Sequence, residues 1–130
     1  MDLTIRIDPA TAQSQRVSLA GRLDTASYAE LDRQLAPLLA ADVPSLVLDL
    51  AGLEYISSAG IRSIFRARKA LAGRNGKVVV VNPQPQIQKV FDLVKAVPME
   101  EIFSSVAEAD AYLDAMQRKV LRKGQDEDED

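Results

Sequence analysis

From Leu48 to Lys69 the chain reads LDLAGLEYISSAGIRSIFRARK, a passage in which one hydrophobic periodicity gives way to another. Leu46, Val47, Leu48, Asp49 and Leu50 make a short apolar run, with Pro44-Ser45 before it and Ala51-Gly52 after it. A run of that length, bounded by turn residues, predicts a buried strand rather than a helix. After a short loop, Ile61, Ile64, Phe65 and Leu71 recur at helical spacing, while Arg62, Arg66 and Lys69 fall on the other side. Ser57 or Ser58 is then the N-cap, a position where a serine oxygen accepts from a free backbone N–H of the first turn. The positive end of a helix dipole with free N–H groups also suits an anion. A phosphate on Ser58 would sit there, with Arg62 one turn later in reach to pair with it. The plainer reading is that the serine only caps the helix.

Working outward, Leu3, Ile5 and Ile7 alternate with Thr4, Arg6 and Asp8, which predicts a first strand ended by Pro9. Gln15 to Leu23 alternates again, and the short link between the two predicts a hairpin. Asp24-Thr25 reads as a turn or helix cap, and Ser27 with Glu30 fits a capping box. Tyr28, Leu31, Leu35, Leu38 and Leu39 form a helical stripe, with Pro37 expected to bend or weaken the helix near Ala36. Beyond the central passage, Gly73-Arg74-Asn75-Gly76 closes a helix, with Gly73 or Asn75 as a left-handed cap. Its spacing and the strand that follows exclude a phosphate-binding P-loop. Lys77 to Val81 is an unbroken valine run, expected as a central parallel strand.

Pro85 opens another helix carrying Ile87, Val90, Phe91 and Val94 at helical spacing, and Val97-Pro98 stops it. Glu101-Ile102-Phe103 reads as a short edge strand. Ser104 or Ser105 caps a last helix, with Val106, Ala109, Tyr112, Leu113 and Met116 as its expected buried face. Arg68 is an oddity, since it points into the sector of Ile61 and Ile64. Either its stem lies along apolar surface with the head in water, or that end of the helix is uncovered. The order of elements predicts an α/β fold: one domain over residues 1–123, about four helices, and a mixed, mostly parallel sheet of four to five strands with an N-terminal hairpin. Residues 124–130 have no apolar side chain and are expected to be an acidic disordered tail.

Composition removes several functions. The 130 residues hold no cysteine and no histidine, so there is no disulfide or thiol nucleophile, and the commonest general base and metal ligand are missing. No serine motif with a lysine base stands at Ser57 or Ser58. A non-enzymatic role is expected, without metal or cofactor. No run approaches the length of a membrane span, and MDLTIRIDP is not a signal peptide, so the cytoplasm is the expected location. Setting aside the five acidic residues at 126–130 turns the net charge from −3 to +2. Between Tyr55 and Phe91 no acid occurs, while Arg62, Arg66, Arg68, Lys69, Arg74, Lys77 and Lys89 do. That surface is either a solvated face or a docking face for an acidic partner. Nucleic acid is not expected, because the cations are not interleaved with a series of aromatic residues of the kind a single-strand platform needs.

Tyr55-Ile56-Ser57-Ser58-Ala59-Gly60-Ile61-Arg62 resembles the signature of the STAS domain of anti-sigma factor antagonists. Val17 to Thr25, VSLAGRLDT, resembles that family's second strand and turn, and the likeness spans residues 3 to 118. The resemblance implies a STAS-like fold and a partner-switching protein. The unphosphorylated form would bind a serine kinase that is itself the anti-sigma factor. Phosphorylation of a serine would release it, and a serine phosphatase would reset the cycle. Carried over by position, the family's Asp-Ser-Ser-Gly becomes Ser57-Ser58-Ala59-Gly60. Ser58 is thus the expected phosphorylation site, its hydroxyl expected to stand open to a kinase, with Ser57 the second choice. Asp24, Ile56, Ser57, Ala59, Gly60 and Arg62 are the expected partner surface. Asp24 as a simple helix cap is an equally good reading of the residues alone. The alternative function is a STAS-type ligand-sensing or scaffold module that is never phosphorylated, in a transport or stress-signalling complex.

Overall fold

The computed structural model describes residues 2–128 apart from Asp42 and Pro98. Its elements are β1 (Leu3–Ile7), β2 (Ser14–Leu23), α1 (Tyr28–Ala40), β3 (Ser45–Ile56), α2 (Ser58–Ala72), β4 (Lys77–Val81), α3 (Pro85–Ala96), a single turn α4 (Met99–Ile102) and α5 (Val106–Asp128). The four strands form one mixed sheet in the order β1-β2-β3-β4. β1 and β2 are the expected antiparallel hairpin, while β2–β3 and β3–β4 pair in parallel. The expected change of character at Gly124 falls inside α5, and Glu129 and Asp130 lie outside the described residues.

Alternation in the strands makes the sheet one-sided. Val17, Leu19 and Leu23 of β2 and Leu46, Leu48 and Leu50 of β3 are buried on one face. There they meet Leu31 and Leu35 of α1, Ile61 and Ile64 of α2, Ile87 and Val90 of α3, and Leu113 of α5 in a single core. The other face carries Arg16, Ser18 and Asp49, and Arg16 is ion-paired with Asp49 across neighbouring strands. A sheet with parallel pairs is usually covered on both sides. Here the polar pattern of β2 and β3 keeps one side wet.

β3 is longer than the apolar run implied and continues through Gly52 to Ile56. Register shifts between Ser18 and Ala20 and between Gly21 and Arg22 let β2 follow it, so that Leu23 lies beside Ile56. α1 runs through Pro37 to Ala40. Asn75, at φ 62°, supplies the left-handed residue after α2, and Gly73 does not.

Two expectations fail together at the far side of the sheet. The valine run is not central: β4 is the last strand, and Val78 to Val81 are only partly buried. The expected edge strand at Glu101–Phe103 is absent, because Glu101 and Ile102 close the turn of α4. Phe103 packs instead against Tyr112 of α5, with ring centroids 5.3 Å apart. A continuous apolar run signals burial on both faces of a strand, but it cannot show whether a further strand lies alongside.

Gly60 sets how closely α2 approaches the sheet. A Cβ there would lie 2.7 Å from Leu23 Cγ, 2.8 Å from the Leu23 carbonyl oxygen and 2.9 Å from Ile56 Cγ1. Helix propensity alone favours alanine over glycine by about 1 kcal/mol. The clash with a fixed backbone oxygen outweighs that, so Gly60→Ala is expected to lose about 1–3 kcal/mol of unfolding free energy in urea titration. A stabilised Gly60→Ala protein would contradict this packing.

Candidate functional site at the start of helix α2

Three chain ends meet where β2, β3 and α2 converge. The Ser57 N–H donates to the Leu23 carbonyl at 2.9 Å, which ties the loop after β3 to the end of β2. Ser57 is the N-cap, with extended backbone, and its Oγ accepts from the Gly60 N–H at 3.3 Å. This is the ordinary capping geometry expected from the sequence.

Ser58 departs from expectation. Its side chain is fully buried, where an open hydroxyl was expected. Asp110 of α5 is the cause. One oxygen, Oδ1, accepts from the Ser58 N–H at 2.9 Å and from the Ser58 hydroxyl at 2.7 Å. A carboxylate from another helix therefore occupies the anion seat at the positive end of α2.

Two turns further along α5, Gln117 completes the seal. Its side-chain amide accepts from the Ile56 N–H at 3.0 Å and donates to the Ile56 carbonyl at 2.8 Å. The side chain thus serves the last residue of β3 as a short strand partner. Asp110, Leu113 and Gln117 recur at helical spacing. Of these, the sequence reading found only Leu113. It placed Val106 and Tyr112 on the buried face, whereas they are 50% and 48% exposed. Two polar residues standing within an apolar helical stripe were the available signal for a buried polar contact.

The other expected site residues divide by burial. Ile56, Ser57 and Gly60 are buried, whereas Asp24, Ala59 and Arg62 are half-exposed. Asp24 organises the turn before α1: its N–H donates to Ser27 Oγ at 3.0 Å, and its Oδ1 accepts from the Ala26 N–H at 3.0 Å. Ser27 Oγ donates onward to the Arg22 carbonyl at 2.7 Å. The expected capping box of Ser27 and Glu30 does not form, since Glu30 binds Arg33 and Gln34 instead. Arg62 makes no ion pair among the described residues, but Arg66 bridges to Asp32 at 2.7 Å and Arg74 donates to the Leu39 carbonyl at 2.9 Å. Part of the expected basic face is therefore used within the fold.

Beside the junction, the Arg22 guanidinium lies 3.9 Å from the centre of the Tyr55 ring. Burial pushes the Tyr55 phenol above its ordinary range, with the Asp114 and Asp110 carboxylates adding to the shift and Arg22 opposing it. Among the described residues no helix is long and apolar enough to cross a membrane.

The chain matches the family model described as the STAS domain over residues 8–109. It is 33% identical over 75 residues to the putative anti-sigma factor antagonist BtrV of Bordetella bronchiseptica, covering 58% of this chain and 65% of that protein. It is 23% identical over 87 residues to the anti-sigma F factor antagonist of Lysinibacillus sphaericus, covering 66% of this chain and 74% of that one. Among solved structures, the unphosphorylated anti-sigma factor antagonist SpoIIAA superposes with a TM-score of 0.60 at 19% identity, over 69% of this chain and 83% of that one. An anti-sigma factor antagonist from Mycobacterium paratuberculosis gives 0.59 at 23% identity, over 75% and 84%. At these identities the two structures speak to the fold.

Removing the Asp110 carboxylate leaves two donors of Ser58 buried without an acceptor. Asp110→Ala is expected to lose about 1–3 kcal/mol of stability. A double-mutant cycle with Ser58→Ala should return a coupling of about 0.5–3 kcal/mol in urea titrations. Additive losses would mean that the contact does not hold α5 to α2.

Proposed function

The chain belongs to the STAS domain family, and from that premise we propose that it acts as an anti-sigma factor antagonist, a regulatory protein that works by binding rather than by catalysis. The observation that carries the proposal is the junction itself. It leaves Asp24, Ala59 and Arg62 half-exposed around the start of α2, while Ile56, Ser57, Ser58 and Gly60 are buried beneath them. The buried four shape the surface, and the half-exposed three meet the partner. The relatives described as antagonists supply the partner class, an anti-sigma factor.

In this proposal Ser58 is the regulatory serine, modified by a kinase that is the anti-sigma factor and restored by a phosphatase. Phosphoryl transfer to Ser58 Oγ removes the proton that the hydroxyl now donates to Asp110. It would also bring about −1.5 to −2 charges against that carboxylate. The two anions cannot share the seat, so modification separates the first turns of α5 from α2. The partner surface then changes shape and charge together.

A second reading has its own observation. Both serines are buried, and the half-exposed residue of the first turn of α2 is Ala59, which has no hydroxyl. On that reading the module binds constitutively and its serines are purely structural.

Incubation with the cognate kinase and ATP, followed by mass spectrometry, separates the two. The switch predicts phosphate on Ser58, its loss in Ser58→Ala, and faster modification of Asp110→Asn. An unmodified protein that still binds the anti-sigma factor supports the constitutive reading and ends the switch. Under either reading, Asp24→Lys and Arg62→Glu are each expected to weaken anti-sigma factor binding about tenfold or more in calorimetry. Unchanged affinity in both would move the docking face elsewhere.

A further inference from the structure

The far side of the sheet carries a second surface, independent of the α2 junction. The Lys77 N–H donates to the Pro44 carbonyl at 3.0 Å, so the backbone groups of Lys77 point toward β3. Successive residues of a strand present their backbone groups to opposite edges. Val79 and Val81 therefore also face β3, and the N–H and C=O groups of Val78 and Val80 face outward. Among the described residues no strand lies beyond them.

Beside this edge is an open groove of about 540 Å³. Val78 and Val80 form part of its floor, Phe65 of α2 and Phe91 of α3 stand on either side, and Arg68 and Lys95 reach its rim. The two valines share a sheet face with Leu46 and Leu48, so the groove is the point at which the core layer runs out. It also settles the position of Arg68, which is exposed on the uncovered end of α2, its guanidinium 5.8 Å from the Phe65 ring centre.

We propose that the β4 edge accepts an extended segment of a partner protein as a fifth, added strand, with alternate apolar side chains filling the groove and acidic residues meeting Arg68 and Lys95. Backbone pairing supplies the affinity in such an addition, and the pockets for alternate side chains supply the specificity. The charge argues for an acidic partner. No carboxylate lines the groove among the described residues, and the nearby Asp92 carboxylate accepts from the Gln88 amide at 2.8 Å. The same charge argues against a second copy of this chain, since two-fold pairing of β4 with itself would set one cationic rim against another. An edge strand is normally protected by being short, charged or flanked by proline. Lys77 and Pro83 bound this one, which guards it against indiscriminate pairing without blocking Val78 and Val80.

The probe is a fluorescein-labelled peptide alternating valine with threonine, with an aspartate at one end and a glutamate at the other, followed by fluorescence anisotropy on the full chain. Saturable binding at about 100 µM or tighter is expected. Val80→Pro removes one outward N–H and leaves the ladder to β3 intact, and should weaken binding about tenfold. The double variant Arg68→Glu, Lys95→Glu should weaken it by a similar factor and should favour the same peptide ended with lysines. Circular dichroism checks that both variants are folded. If Val80→Pro does not fold, amide exchange on the wild type decides, with slower exchange at Val78 and Val80 expected when peptide is present. No binding at about 1 mM, full binding by both variants, or unchanged exchange overturns the proposal. So does sedimentation that reveals a dimer dispersed by Val80→Pro, which would give the edge to a second copy.

Discussion

A helix that begins inside a protein must find acceptors for its first free N–H groups, and in this chain a neighbouring helix provides one. Asp110 Oδ1 accepts from both the Ser58 N–H and the Ser58 hydroxyl. The arrangement satisfies a buried donor pair and complements the dipole of α2 at once. It also fixes where α5 sits, because Gln117, two turns along, must then reach the backbone of Ile56. α5 is thus held to α2 by Asp110, to the sheet by Gln117, and to the core by Leu113 between them. The approach of α2 to the sheet depends in turn on the missing side chain at Gly60.

The one-sided sheet shapes the rest. With every long helix on the same face, the core is a single layer of side chains between strands and helices. Its quality falls off toward the ends of the strand order. At the β2–β3 centre the apolar residues are fully buried, whereas the valines of β4 are half-covered. Phe103 and Met99 join the core cluster, and Phe103 packs there against Tyr112 of α5 rather than beside β4. A segment that closes the bottom of one helix cannot also close the edge of the sheet.

Much of this was legible in the residues. The alternation of β1 and β2, the helical stripes of α1, α2 and α3, and the cap at Ser57 each follow from local periodicity or local hydrogen bonding, which sequence records directly. What was not legible depended on distant partners. The burial of Ser58 needs Asp110, 52 positions away, and no property of the serine announces it. The edge position of β4 depends on what Glu101–Phe103 does, and α4 took residues whose pattern suited a short strand equally well. Ser27 and Glu30 had the spacing of a capping box, but Asp24 claimed the hydroxyl and Arg33 the carboxylate. Local rules name the groups able to bond, and competition among nearby partners settles which bonds form.

The seal over Ser58 bears on any chemistry at that hydroxyl. A kinase acting on Ser58, as proposed, would reach only molecules in which α5 has lifted, so its rate would scale with the open fraction. If opening costs about 3 kcal/mol, that fraction is below about one per cent. Under the proposed switch, the Asp110 contact would then be a rate control as well as a structural one. Any partner that prefers the closed junction deepens the protection, and any that prefers the open one exposes the serine. The same contact would set the direction of the proposed response: a phosphate on Ser58 would remove a donor and add a repelling charge at one point, so closure would be disfavoured twice over. Binding at Asp24, Ala59 and Arg62 would feel that opening without touching the serine, because the surface those residues present rests on the buried junction beneath them.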